Sequence, residues 1–434
     1  MSVRLFSAPF GLVLAAYVSV SIQAEGQPLA TESPWKCHII DDTARGADGV
    51  KLADVNHDGY MDVTTGWEER GLTRVYLNPG PQKAKGTWPF VTTGETPSVE
   101  DAVFVDLDED GAVDVVSCCE GNSQSVFVHW APKNKGEYLQ ESKWRSQVIP
   151  LSKGMTRWMF CIPMQVDEKS GVDLVAGSKD PNAQIGWFEA PQDARDLGAY
   201  RWHAVSPAGW IMSLESVDMD GDGDLDILTS DRKGPMRACR WLENPGPGPV
   251  SGASSSRSEG KTPSARKWLN HYIGCRDKEV MFLTLADIDQ DGLQDVLAAV
   301  NAEKAGQIAI LRRLDVRGRL WKEYAIPYPQ QAGTAKAVVV GDIDANGTKD
   351  IVFSCENAKG PKSGLMWLSA GKGVFGGDWQ AHDISGPKGI KYDRMELLDL
   401  DADGDLDVLA CEEQENSKGL GVFWHENPHA PKGR

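Results

Sequence analysis

An acidic nine-residue segment with a glycine near its centre returns again and again along the chain. Its copies are Asp54-Val-Asn-His-Asp-Gly-Tyr-Met-Asp62, Asp106-Leu-Asp-Glu-Asp-Gly-Ala-Val-Asp114, Asp218-Met-Asp-Gly-Asp-Gly-Asp-Leu-Asp226, Asp287-Ile-Asp-Gln-Asp-Gly-Leu-Gln-Asp295, Asp342-Ile-Asp-Ala-Asn-Gly-Thr-Lys-Asp350 and Asp399-Leu-Asp-Ala-Asp-Gly-Asp-Leu-Asp407. A seventh, Gln165-Val-Asp-Glu-Lys-Ser-Gly-Val-Asp173, is degenerate. Successive copies start 52, 59, 53, 69, 55 and 57 residues apart. A chain of 434 residues would otherwise suggest two or three domains. A fixed period of this length is instead that of a propeller blade, and one ring of repeats accounts for the whole.

A second marker keeps step with the first. Trp35, Trp88, Trp144, Trp202, Trp268, Trp321 and Trp379 each open a short strand-like segment, four of them with a histidine close by: His38, His203, His271 and His382. Each repeat reads as four short strands. In the fifth these are 281–287, 296–300, 308–312 and 321–326, the second a continuous apolar run of the kind buried on both faces. Asn78-Pro-Gly, Asn244-Pro-Gly and Asn427-Pro punctuate the ends of third strands. The first such piece, 35–40, is a fourth strand and the last, 421–425, a third strand. The former therefore completes the last blade and removes an exposed edge. The expectation is an all-β fold: a seven-bladed β-propeller of four-stranded antiparallel blades over 35–430, closed by its N-terminal strand. Residues 245–267, rich in Pro, Gly and Ser, read as an insertion between the third and fourth strands of blade four.

The acidic segments have the chemistry of calcium loops. Calcium takes six to eight oxygens, and glycine at position 6 allows the sharp bend that gathers them. Positions 1, 3, 5 and 9 offer side chains and position 7 a carbonyl. Blade one presents Asp54, Asn56, Asp58, Tyr60 and Asp62; blade two presents Asp106, Asp108, Asp110, Ala112 and Asp114. Blade four offers Asp218, Asp220, Asp222, Asp224 and Asp226, and blade five Asp287, Asp289, Asp291, Leu293 and Asp295. Asp342, Asp344, Asn346, Thr348 and Asp350 serve blade six; Asp399, Asp401, Asp403, Asp405 and Asp407 serve blade seven. Carboxylates packed this closely repel without a cation. In blade three Gln165 and Lys169 occupy positions 1 and 5. The lysine brings its own charge, and that loop is predicted to be metal-free. About six structural calcium ions would bring the formal charge of −18 to about −6.

The loops and the blade period resemble the FG-GAP/VCBS repeat family, whose propellers include the head of integrin α subunits. The resemblance spans 35–428. It implies the fold and calcium, and leaves activity open, because related propellers serve as adhesion heads, lectins, polysaccharide lyases and sugar dehydratases.

The clustered negative charge argues against a nucleic-acid surface. Residues 1–24 read as a secretion signal: Arg4, then a mostly apolar stretch over 5–22, then a small residue, Ala24, before the expected cut. Residues 25–34 are a linker and 431–434 a tail. No other stretch approaches the ~20 apolar residues of a spanning helix, so the expected location is periplasmic or extracellular. The eight cysteines contain no CxxC, and their pairing is left open.

If the acidic loops join first to second strands, the opposite face of the ring holds the remaining connections and the ligand. Equivalent positions there can be compared blade by blade. Six residues before each loop stand Asp48, Glu100, Met159, Met212, Met281, Lys336 and Asp393. Six past each loop's last Asp stand Glu68, Glu120, Lys179, Arg232, Asn301, Glu356 and Glu413. Residues serving only the fold would recur around the ring. Here blades six, seven, one and two are acidic, whereas blades three and four carry Met with a base. Asp101, Arg45 and Arg394 lie near the acidic side, and Trp67, Trp158, Trp210 or Tyr392 in the same loops would stack on a sugar ring. The expected partner is a carbohydrate or an extracellular protein. A carbohydrate-active enzyme, lyase or dehydratase, is the alternative, although no histidine falls in the ligand-face loops; a structural envelope protein is a third.

Overall fold

The computed structural model describes residues 20–21, 33–169, 171–246, 267–301, 306–413 and 419–429. Most of the expected signal (1–24), most of 25–34, most of the blade-four insertion and 431–434 lie outside them. Seven antiparallel sheets follow one another along the chain. Blade one is Ala47–Ala53, Asp62–Trp67, Leu72–Tyr76 and Phe90–Glu95. Blades two to six repeat the pattern, with neighbouring strands joined in sequence order. Blade seven is Tyr392–Leu398, Asp407–Glu412 and Gly421–Glu426, and its fourth strand is Lys36–Asp41. Lys36 pairs with Glu426 and Ile39 with Phe423, so the expected clasp is present. A two-residue strand, Val20–Ser21, adds in parallel to Trp321–Pro327 at the edge of blade five.

The second strands are the apolar runs that the sequence marks as doubly covered. Asp62–Trp67, Asp114–Cys119 and Asp407–Glu412 are buried at every residue. The hydrophobic effect therefore acts on both faces, at about 1.5–3 kcal/mol for each fully buried large aliphatic. The tryptophans that mark the fourth strands are not the partners of the nearby histidines. His38, His203, His271 and His382 lie opposite third-strand residues Trp424, Trp187, Trp241 and Trp367 in the register. Ring centroids in these four pairs are 4.5, 4.5, 4.4 and 4.0 Å apart. Cross-strand aromatic pairs of this kind hold the outer strand on its neighbour.

The last Asp of each acidic loop is a clamp. Asp62 accepts the Val55 N–H at 3.0 Å and the Asn78 N–H at 2.8 Å. Asp226 does the same with Met219 and Asn244, and Asp407 with Leu400 and Asn427. Each ties the loop's second residue to the first or, in blade one, the second residue beyond the third strand. Asp173 in the degenerate loop makes the same two bonds, to Val166 at 3.0 Å and Ala190 at 2.8 Å. Burial without such partners would cost about 1–3 kcal/mol per N–H, which explains why this Asp persists where positions 1 and 5 have changed.

Every first strand slips register near its start. The irregularity falls between Asp48 and Lys51, Val99 and Asp101, Trp158 and Phe160, Ile211 and Ser213, Val280 and Leu283, Ala335 and Val338, and Tyr392 and Met395. The residue six before the loop lies within six of these and, as Asp48, at the edge of the seventh. An inserted residue in one strand bends it and re-aims a side chain, so this position turns toward the centre of the ring.

Candidate functional site

The re-aimed residues meet in one cavity of about 290 Å³. Twelve of the fourteen positions compared in the sequence line it; Met281 and Asn301 do not. Its wall is ionic. Lys336 Nζ lies 2.7 Å from Asp393, 2.9 Å from Glu356 and 3.4 Å from Glu413. Lys391 lies 2.6 Å from Glu413. Lys179 lies 2.6 Å from Glu120 and 3.2 Å from Glu100. The blade-three base thus reaches across to blade two, and the division into an acidic and a basic sector is closed by direct ion pairs.

Seven carboxyl groups and four bases line the cavity. Burial, with the charge of Asp393 next, holds the Asp48 carboxyl well above the ordinary carboxylate range. Burial likewise raises Glu100. Glu413 is pushed up to about 7, chiefly by burial against the opposing pull of Lys336. Asp393 shifts the other way: burial opposes its ionisation, but the charge and hydrogen bond of Lys336 together with the Arg394 N–H more than offset it and lower its pKa. Carboxyls of opposite tendency side by side can both donate and accept hydrogen bonds near neutral pH. Two groups, Asp48 with Glu68 and Glu413, and Glu68 with Glu100 and Glu120, each bring three carboxylate oxygens within 4.8 Å of one another.

Aromatic rings line the blade-three to blade-five side: Trp210, Phe160 and Phe282. Lys179, Arg232 and Lys233 sit 4.4, 4.8 and 4.2 Å from the Trp210 ring centroid. Asp231, fully buried beneath, accepts the Gly209 and Trp210 N–H groups and pairs with Arg240, which fixes the loop that carries Trp210. No histidine lines the cavity.

Several expected ligand-face residues lie elsewhere. Trp67 is wholly buried and donates its indole N–H to Tyr76 at 2.8 Å, so it is core and not a sugar platform. Tyr392 is also buried, its hydroxyl bonded to the Lys388 carbonyl and its ring edge-on to Phe423. Both sit at the last or first residue of a strand inside a blade. Arg45 is more than half exposed and pairs with Glu69 at 3.5 Å, outside the cavity. Asp101 and Arg394, one residue further along the bulged strands, belong one tier deeper. Arg394 lines a second space of about 270 Å³ with Lys51, Glu215 and Glu396, and Asp101 is buried under the influence of Lys51 and Arg394. The sequence comparison passes over Phe160, Phe282 and Lys391. A strictly alternating strand would turn the first two away from the ring centre, and only the bulge brings them in.

The acidic loops take one shape. Position 6 is glycine at positive φ in all six complete copies, from 84° at Gly111 to 98° at Gly223. The Asp at position 1 accepts the N–H groups of positions 5 and 6 in all six complete copies, as Asp54 does from Asp58 and Gly59 at 3.0 Å each. Position 3 is the informative one. One oxygen of Asp220, Asp289 and Asp401 pairs with Arg319 at 3.3 Å, Arg312 at 2.6 Å and Lys85 at 2.8 Å, and one of Asp108 with Arg195. The other oxygen, Oδ1, of all four is buried with no hydrogen-bond partner among the described residues. Such an orphan fits a hard cation. Asp106, Asp108 and Asp114, and Asp218, Asp220 and Asp226, bring carboxylate oxygens within 4.8 Å. In blade three Lys169 Nζ sits 2.6 Å from Asp167 instead, and Gln165 donates to the Lys169 and Gly171 carbonyls.

These features define a seven-bladed β-propeller with a charge-lined cavity at the mouth of its channel and acidic turns on the opposite face. It carries FG-GAP-like repeats: the model of that family matches residues 54–117 and 287–353. No curated protein matches the sequence. Among solved structures the fold is similar to chains in two crystal structures of BBS1N in complex with ARL6DN, one soaked with mercury and one with lead. Identity is 11% and the TM-score 0.48 in both, over 92% and 93% of this chain and 98% and 99% of those. No helix of the described residues is long and apolar enough to cross a membrane.

Proposed function

We propose that this protein is an exported propeller, stabilised by calcium in six of its seven acidic loops, that binds a carbohydrate in the channel-mouth cavity. The observation that carries the reading is the convergence of non-recurring charged side chains in one space. A fold alone would repeat its residues seven times; here the blades contribute different groups to a common network. Paired carboxyl and carboxylate groups suit sugar hydroxyls, which donate and accept, and Trp210 offers an apolar ring face beside them. A glycan array, followed by calorimetry with the wild type, Glu120→Gln and Trp210→Ala, tests it. Each variant should weaken binding at least tenfold, ~1.4 kcal/mol; undiminished binding by both overturns the reading.

A second reading is favoured by the two carboxylate groups that share Glu68. They would hold a divalent ion that polarises a sugar in a dehydratase or lyase reaction. The discriminating measurement is the ultraviolet absorbance of unsaturated products after incubation with uronate-rich polysaccharide. An extracellular protein partner on the same face is tested by the array's negative result together with capture on immobilised candidates.

A further inference from the structure

Four of the eight cysteines form two thiol pairs. Cys118, on the second strand of blade two, and Cys161, on the first strand of blade three, sit in one apolar cluster where these two strands pack together, close enough for their thiols to interact. Their placement follows from the backbone: Cys118 is the cross-strand neighbour of Asp101 in blade two, Cys161 that of Ala176 in blade three, and the two strands that carry the cysteines pack against each other. Cys239 lies opposite Gly274 at a register slip in blade four, and Cys275 follows directly with φ 55°, which turns its side chain back to Cys239. Those two thiols also lie close enough to interact, in one cluster with Trp241, Ile273 and Val280.

The repeat supplies an internal control. Four residues before the loop, where blade three has Cys161, the other blades have Val50, Ala102, Leu214, Leu283, Val338 and Met395. The slot takes an aliphatic everywhere except beside Cys118. Cys411 occupies the position of Cys118 in blade seven, yet it packs in one cluster with Val50 and has no thiol opposite. A packing slot alone would not place the second cysteine only where the first already stands.

We infer that Cys118–Cys161 and Cys239–Cys275 are disulfide sites, one joining blades two and three and the other bracketing residues 240–274 of blade four, while Cys37, Cys119, Cys355 and Cys411 remain thiols. The chemistry is exchange with a small-molecule disulfide such as oxidised glutathione. One protein thiolate attacks it, forming a mixed disulfide and releasing one glutathione thiolate. The second protein thiolate then attacks the protein sulfur of that adduct, releasing the second glutathione. Two S–H bonds are lost, one S–S bond forms, and the two electrons reduce glutathione disulfide to two thiols. All four sulfurs are buried in the folded chain, so exchange belongs to folding, before the strands cover them.

The test is to refold the full chain in a mixture of reduced and oxidised glutathione, quench with an alkylating agent in denaturant, and map peptides without reduction. The expected result is two cross-linked peptide pairs and four alkylated cysteines. Folded protein with all eight alkylated, or a Cys118–Cys119 link, overturns the inference. Cys161→Val, which installs the side chain of blades one and six, should abolish only the first link; Cys239→Ala with Cys275→Ala should abolish only the second. Loss of either link in Cys411→Ser would equally overturn it. Because oxidant is supplied, the outcome does not depend on export or on any ligand.

Discussion

The Lys336 ammonium on blade six stands 2.7 Å from the Asp393 carboxylate on blade seven, and both side chains are buried. The lysine is also within 3.4 Å of Glu356 and Glu413. Desolvation alone would strip its proton; the surrounding carboxylates more than offset that and raise its pKa. One cation therefore makes two buried carboxylates and a half-buried one tolerable.

Lys336→Met removes the cation and keeps the volume. It should destabilise the protein by about 3–5 kcal/mol at pH 8, the usual cost of leaving buried charge unpaired. Urea unfolding measures it, and a change below about 1 kcal/mol would show that the network is not a structural one.

Glu413 makes stability depend on pH. Below its ordinary pKa of 4.5 the carboxyl is protonated in folded and unfolded chains alike, and its contribution is fully present. Between 4.5 and about 7 only the folded chain keeps the proton, so this contribution is lost as pH rises through that window, by at most about 3 kcal/mol. Asp48 and Glu100 act in the same direction and Asp393 in the opposite one. Glu413→Gln, which cannot ionise, should lose less stability than the wild type between pH 5 and pH 8 at fixed calcium. Parallel losses would refute the assignment.

Asp173 separates clamp from metal. Asp173→Ala strands the Val166 and Ala190 N–H groups, at about 1–3 kcal/mol each. The drop in melting temperature should be the same with calcium and with chelator, since Lys169 occupies that loop. A chelator-dependent effect would place an ion in blade three.

Calcium itself is tested by elemental analysis of the dialysed full chain. About six ions are expected, and five in Asp222→Ala. Chelation should lower the melting temperature by mass action on the folded state. Folded protein with negligible metal would leave the buried Oδ1 atoms of Asp108, Asp220, Asp289 and Asp401 to another account.

Blade number and the shape of the acidic loops were legible because each is written several times over, and the closing strand because the same repeat fixes its register. The cavity was legible from the same repetition: comparing Asp48 with Lys336 and Met159 isolates what the fold does not require. Two things escaped. Trp67 and Tyr392 have the composition of a sugar platform, and nothing local distinguishes a ring packed inside a blade from one facing the channel. Phe282 and Arg394 follow the re-aimed residue directly, and strict two-residue alternation misplaces them because the bulge adds a residue to every first strand. Ion pairs such as Lys179 with Glu120 link blades 59 residues apart in sequence, where no periodicity announces them.

The pairing of Lys36 with Glu426 sets an order of events. During synthesis the segment that becomes the outer strand of blade seven leaves the ribosome before any other blade strand, and its partner arrives about 390 residues later. Blades one to six can each form from contiguous chain as it emerges. Only the seventh must wait, with an unpaired sheet edge open to other chains meanwhile. The slowest and most aggregation-exposed stage of folding is therefore the joining of the two ends, and substitutions at Ile39 or Phe423 should reveal themselves first in refolding yield rather than in the stability of the finished ring.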